Sequence, residues 1–357
     1  MEWKPRGRVW PEIRGSEALG LPLPYRAAFL ALRRNGLATL TRSGLEGDAP
    51  VPLWLADSVL RGVGQVMLQN SAWTGLLFLA GIAWNAPLIA AGVVVGTAAS
   101  TFAVVALGAE RRAVRDGLYG FNGALVAVAL LVFLKPDVLT WGCVVFAAAA
   151  STVLMAALTQ ALKPWQVPAL TAPFVLTALC FFLALARFGR LQPTGLLPSA
   201  GLPAEAVVEG VVTAATVGLG LLDGVAQVFF QGSAVTGAVF LLGLLVASKR
   251  VCAVALAGSA VGLLTAWGMG AAEEAIRSGA FGFNAVLTAV ALGTVFLRMD
   301  ALAWVYTLTA TVVSTLLFAT LSAALQPLGM PAMTAPFVLA TWVFLLAVPL
   351  FPRLRWS

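Results

Sequence analysis

Apolar residues run through this chain in long unbroken stretches, not in the narrow stripes of surface helices. Residues 86–107, 138–162, 164–186, 224–248, 251–272 and 301–352 contain no Asp, Glu, Lys or Arg. A helix needs about 20 apolar residues to cross the hydrocarbon core of a bilayer, so most of these stretches are predicted to span one. The last is long enough for two helices, divided at Gln326, Pro327 and Gly329. In the first part of the chain the pattern predicts helical segments at 52–68, 73–84, 87–107, 119–134, 138–162 and 170–187.

The pattern occurs twice. Fourteen residues from Gly62 to Gly75 match Gly224 to Gly237 at nine positions, 162 residues on. Gly117 to Leu130 matches Gly279 to Leu292 at nine of fourteen, with the same offset. Thr171-Ala-Pro-Phe-Val-Leu176 recurs unchanged from Thr334, at an offset of 163. Chance similarity between apolar segments would match Leu, Ala and Val; here Gln, Asn, Thr and Pro match. The repeats are placed at 51–187 and 203–351, with 188–202 as linker and 352–357 as a C-terminal tail. Each is expected to hold about five crossings plus a half-helix or re-entrant element. An odd number of crossings would invert one repeat relative to the other, and inverted repeats place their site between them near the midplane. The fold expected is an all-α integral membrane protein with a pore at the repeat interface.

The repeated polar residues are the candidate chemistry. Gln65 and Gln227, Asn122 and Asn284, and Thr171 and Thr334 fall in membrane segments. An amide buried there without partners costs a few kcal/mol. Helix–helix adhesion is the ordinary use of one such residue, but adhesion does not require the same residue twice. Gln69 follows Gln65 by four residues and Gln231 follows Gln227 likewise, so each pair is expected on one helical face. The two asparagines suit pore lining or the tying of a broken backbone. Thr171 and Thr334, followed by Ala-Pro, read as helix starts. Phe121 and Phe283 follow glycines that can aim a ring into a cavity, and Leu125 and Leu287 lie one turn on.

Composition and charge narrow the function. Of 357 residues, 60% are hydrophobic and 10% charged, far below the roughly one quarter charged residues of a soluble domain. The net charge is +7. Eight of the basic residues sit in residues 1–50, which read as a cytoplasmic tail with a short interfacial helix near 25–40, so the surplus reports topology and not nucleic acid. Arg187 and Arg190 fit that orientation less well. Histidine is absent and the three cysteines are scattered in apolar runs, which argues against a zinc site and a disulfide framework. No metal or cofactor is implied. Asp57, Arg61, Glu205, Glu209 and Asp223 lie near the starts of the repeats and are placed at vestibules or loops. An uncharged apolar constriction stops ions, and a row of acceptor oxygens between flat walls suits a small, flat, neutral solute rich in N–H groups. Urea meets each condition.

These blocks, Gln65-Val-Met-Leu-Gln-Asn70, Gly117-Leu-Tyr-Gly-Phe-Asn122 and Leu170-Thr-Ala-Pro-Phe174 with their second copies, closely resemble the urea transporter family over roughly 55–350. The resemblance implies a pore within each subunit, a homotrimer in the lipid of the cell membrane, and passive urea flux. By that resemblance Gln65 and Gln227 begin two oxygen ladders, and Thr171 and Thr334 stand at the centre. Val66, Leu125, Val228 and Leu287 are apolar walls. Phe121 and Phe283 resemble the ring pair at one end of the filter, with Phe230 and Leu68 at the other. Leu68 stands where the family often has an aromatic, which implies weaker or less selective binding in that slot.

Other functions fit less well. Ammonia channels use paired pore histidines, which this chain lacks. A membrane enzyme would need a nucleophile–base pair or a metal cluster, and an ion-coupled carrier an intramembrane carboxylate. A purely structural role leaves the paired Gln and Thr unexplained. Short amides such as acetamide remain alternative cargo.

Overall fold

The computed structural model describes residues 51–203 and 207–357. The tail 1–50, with its expected helix, and Glu205 lie outside the described residues. Two sets of seven α-helices follow in the same order. The first set is α1 Val51–Gln65, α2 Ala72–Asn85, α3 Pro87–Ala106, α4 Arg111–Arg115, α5 Gly120–Phe133, α6 Val138–Leu162 and α7 Ala172–Ala184. The second is α8 Ala214–Ala226, α9 Ala234–Ala247, α10 Lys249–Gly268, α11 Glu273–Arg277, α12 Phe283–Val290, α13 Ala301–Leu325 and α14 Ala335–Ala347. Helix α12 departs from its counterpart by passing into a π-helix at Ala291–Phe296.

Equivalent local signals start equivalent helices. Ser71 and Ser233 accept the N–H groups of Thr74 and Thr236, and Asp137 and Asp300 those of Thr140 and Ala303. Such caps satisfy donors that have no partner inside the helix. Gly117 and Gly279 both take φ 71°. A side chain at either would also strike the backbone of Gly62 or Gly224, so conformation and space both demand glycine there. Leu134 bridges to Pro193 and Leu297 to Trp356. The equivalence therefore continues past Arg187 and Phe351, into the stretches read as linker and C-terminal tail.

Only four helical segments among the described residues are long and apolar enough to cross a membrane: Pro87–Ala106, Val138–Trp165, Lys249–Gly268 and Ala301–Leu328. A fifth arises if the pair Ala214–Phe229 and Ala234–Ala247, bent by 74°, counts as one. The expectation of single spans at 164–186 and 224–248 is corrected. A left-handed residue, Gln166 in one and Phe230 in the other, breaks each stretch. The 13 residues of α7 reach only about 20 Å, short of the roughly 30 Å hydrocarbon core. The run 301–352 divides where expected, at Gln326–Leu328 and Gly329.

The halves meet reciprocally. Thr74 Oγ1 donates to the Gly243 carbonyl at 3.0 Å, and Thr236 Oγ1 to the Gly81 carbonyl at 2.9 Å. The equivalent rings Phe78 and Phe240 lie 4.7 Å apart between these bonds. Residue i meeting j while the equivalent of j meets the equivalent of i is the signature of a two-fold relation. The order of contacts, 74 with 243 and 81 with 236, runs α2 antiparallel to α9. The core sits around α5 and α12, whose residues Gly120–Leu131 and Phe283–Val290 are buried on all sides.

Candidate functional site

Helix α1 ends at Gln65, and the chain reverses before α2. Leu68 occupies the left-handed region at φ 61°, an unfavourable place for a branched side chain unless its surroundings hold it. Leu68 N–H donates to the Gln65 carbonyl at 2.9 Å, and Gln69 Nε2 to the Met67 carbonyl at 2.9 Å. The second half repeats the turn. Phe230 has φ 56°, its N–H donates to the Gln227 carbonyl, and Gln231 Nε2 donates to the Phe229 carbonyl. Gln65 and Gln69 therefore do not share a helical face. The helix stops between them, and Gln69, like Gln231, braces the turn.

Gln65 Nε2 donates to the Asp116 carbonyl at 2.8 Å, and Gln227 Nε2 to the Ser278 carbonyl at 3.1 Å. A carbonyl only accepts, so the nitrogen of each amide must face it and each Oε1 is the atom left over. Both glutamines thus present an acceptor. They stand far apart. Ser71 caps the start of α2, while Asn85 at its end donates to Gln231 Oε1 at 3.0 Å. The two turns lie at opposite ends of that 14-residue helix, about 20 Å apart.

Midway, Thr171 and Thr334 meet. Their hydroxyl oxygens are 2.7 Å apart and both residues are buried. Each precedes its helix as expected, but neither side chain caps it. The asparagines do. Asn122 Oδ1 accepts the Phe174 N–H at 3.1 Å and its Nδ2 donates to the Leu170 carbonyl at 3.3 Å. Asn284 does the same with Phe337 N–H and the Met333 carbonyl, at 3.1 and 3.0 Å. Leu170 and Met333 are left-handed at φ 50° and 48°. The asparagines therefore tie down the two broken backbones, and the threonines keep their hydroxyls for each other.

The expected wall residues Val66, Leu125, Val228 and Leu287 are all buried. Phe121 lies in the first turn of α5 and Phe283 opens α12, five residues along the chain from the Asp116 and Ser278 carbonyls that hold Gln65 and Gln227. The placing of both rings at one end is corrected: residues related by a two-fold share a place only on its axis, as Thr171 and Thr334 do. The turns bearing Leu68 and Phe230 are split likewise. The Phe230 ring lies 5.9 Å from that of Phe133 and 6.4 Å from that of Phe174, and the Phe283 ring 5.4 Å from Phe318.

Glu209 is exposed in a loop, as expected, but Arg61 departs from the vestibule expectation. Arg61 is buried within α1. Its Nε donates to Asp57 Oδ2 at 2.6 Å and its Nη1 to Asn70 Oδ1 at 2.9 Å. Asn70 Nδ2 continues to Asp116 Oδ1 at 3.0 Å. Asn70 and Asp116 escape a search for repeated residues because Gly232 and Ser278 stand in their places. The signal that could have found them is the closeness of a lone Arg and Asn to Gln65. Among the described residues, no group of three or more His, Cys, Asp or Glu could hold a metal ion.

The family described as urea transporter matches residues 56–349 of this chain. Urea transporter 1 of Ovis aries is 29% identical over 311 residues, covering 86% of this chain and 80% of that protein. Urea transporter 1 of Rattus norvegicus is 30% identical over 303 residues, covering 84% and 78%. By their names these relatives are transporters and not enzymes.

Proposed function

This chain belongs to the urea transporter family, and from that premise we propose that it conducts urea passively, as a channel, between its two repeats. It is a membrane protein, not an enzyme. The orientation of the two glutamines carries the reading. With each Nε2 committed to a backbone carbonyl, Gln65 Oε1, the Thr171 and Thr334 hydroxyls and Gln227 Oε1 form a row of acceptors for the N–H groups of a urea molecule. Val66, Leu125, Val228 and Leu287 supply apolar flanks that offer an ion nothing in exchange for its water.

Each end of the filter then holds one of Phe121 and Phe283 and one of Leu68 and Phe230. The Phe230 ring stacks edge-on to Phe174, whose N–H is bound by Asn122, beside Phe121. This supports a slot walled by Phe121 and Phe230, leaving Leu68 with Phe283 in the other. One slot has two rings and the other a single ring.

The antiparallel contact of α2 with α9 supports inverted repeats, about 51–187 and 203–351, if those helices stand across the bilayer. A two-fold axis perpendicular to such helices lies in the membrane plane. Short helices that begin at Thr171 and Thr334 fit half-membrane elements, because non-helical backbone at that depth is tolerated only when buried in protein or lining a cavity. The protein is assigned to the cell membrane as a multi-pass homotrimer in contact with lipid. Stopped-flow light scattering on proteoliposomes tests the reading. Urea is expected to enter much faster than glycerol, with acetamide between them. Equal entry of urea and glycerol, or dependence on a proton gradient, would refute passive urea conduction.

A further inference from the structure

The two ends of the acceptor row are built from equivalent backbones but unlike side chains. In the first half, Arg61, Asn70 and Asp116 fill the space beside Gln65 and are linked by hydrogen bonds and an ion pair. The residues 162 positions on are Asp223, Gly232 and Ser278. A carboxylate thus replaces a guanidinium, and the two side chains that faced it shrink to a hydrogen and a hydroxymethyl group. Asp223 leaves α8 one turn before Gln227, whose N–H donates to the Asp223 carbonyl. Equivalence with Arg61, which reaches Asn70, aims the Asp223 carboxylate at Gly232 and Ser278.

There is room for a side chain at Gly232. A side-chain carbon built on Gly232 meets nothing nearer than Gln227 Nε2, at 3.8 Å. Asp223 Oδ1 is shut off from solvent, and no hydrogen-bond partner meets it among the described residues. The first half shows what this recess holds when it is filled, namely nitrogen donors packed against carboxylates.

The geometry points to Asp223 as an additional binding site at the Gln227 end of the pathway, for planar solutes that present paired N–H donors. A carboxylate accepts two parallel N–H bonds from such a fork. Urea would dock there before passing to Gln227, and guanidinium, which is flat and forked but charged, would dock there and go no further. The inference rests on the urea-conducting reading above.

The test uses the full-length protein in proteoliposomes, with guanidinium chloride as probe and sodium chloride at matched ionic strength as control. Guanidinium is expected to inhibit urea entry in the wild type. In Asp223→Asn the concentration needed should rise by about tenfold or more, as loss of a charge-assisted fork requires, and half-saturation by urea should also rise. Gly232→Asn, which refills the recess as Asn70 does in the first half, should weaken the block without removing the carboxylate. An unblocked wild type, or a block unchanged in Asp223→Asn, overturns the site. If Asp223→Asn does not insert into membranes, an unchanged block in Gly232→Asn overturns it. Urea entry through the wild-type protein decides the parent reading separately.

Discussion

Replacing both central threonines by valine removes the two hydroxyls and little else. Valine keeps the branched shape, and neither Thr171 nor Thr334 caps its helix through its side chain. The bond lost is the 2.7 Å contact between Thr171 and Thr334. Because both partners go together, no buried hydroxyl is stranded, and stability should change little. A urea molecule at the midpoint loses its acceptors, and leaving a buried donor unmatched costs about 1–3 kcal/mol. Each 1.4 kcal/mol is a factor of ten, so urea permeability should fall by roughly 5- to 150-fold. The single variants should each lose less permeability but more stability, since Thr171→Val strands the Thr334 hydroxyl and the reverse. Their effects should also be similar, because the pair meets on the two-fold. The assay is stopped-flow urea entry into proteoliposomes containing equal amounts of protein, with thermal unfolding measured in parallel. Urea entry in the double variant within about twofold of wild type would show that the hydroxyls do not face the solute, since even the smallest expected cost exceeds that change.

Leu68→Phe adds a second ring to the single-ringed slot and should sharpen discrimination between urea and its methylated analogues; equal ratios before and after would remove Leu68 from the pathway. Gln65→Leu deletes an acceptor and frees the Asp116 carbonyl, so urea entry should fall by about tenfold, the scale of one hydrogen bond, whereas entry at the wild-type rate would contradict the oriented amide. Asn122→Leu strips the caps from Phe174 N–H and the Leu170 carbonyl; it should lower the unfolding temperature as well as flux, and a full-strength protein with lost flux would make Asn122 a pore residue instead. The Asp137 carboxyl is held below the usual range mainly by the Thr140 N–H. Its cap should therefore be at full strength at neutral pH and disappear as pH falls through the lowered value. The stability difference between wild type and Asp137→Ala should shrink on acidification, and a difference that grows would reverse the assignment.

Much of this arrangement is legible in the sequence because repetition separates function from packing. Gln65, Thr171 and Phe121 stand out only through Gln227, Thr334 and Phe283. The helices followed from apolar runs, with boundaries close to those of α2, α3, α5 and α6. The division near Gly329 and the helix starts at Thr171 and Thr334 followed too, but the turns at Leu68, Gln166, Phe230, Leu170 and Met333 did not, since these take positive φ without being glycine. Their surroundings hold them there, and no local residue preference announces it. Roles within the motifs were also hidden. Gln69 reads like a second pore amide until the helix is seen to end before it, and Asn122 becomes a cap only once Phe174, 52 residues away, is folded against it. The Arg61 cluster belongs to one half alone, so repetition does not mark it.

The hydroxyl contact between Thr171 and Thr334 has a further consequence. In the proposed pathway, a molecule arriving from either face of the membrane encounters the same two oxygens at the same stage of its journey. The midpoint therefore keeps no record of the direction of travel. Any inequality between influx and efflux at half-saturating solute has to originate near the entrances, where an arginine on one side answers to an aspartate on the other.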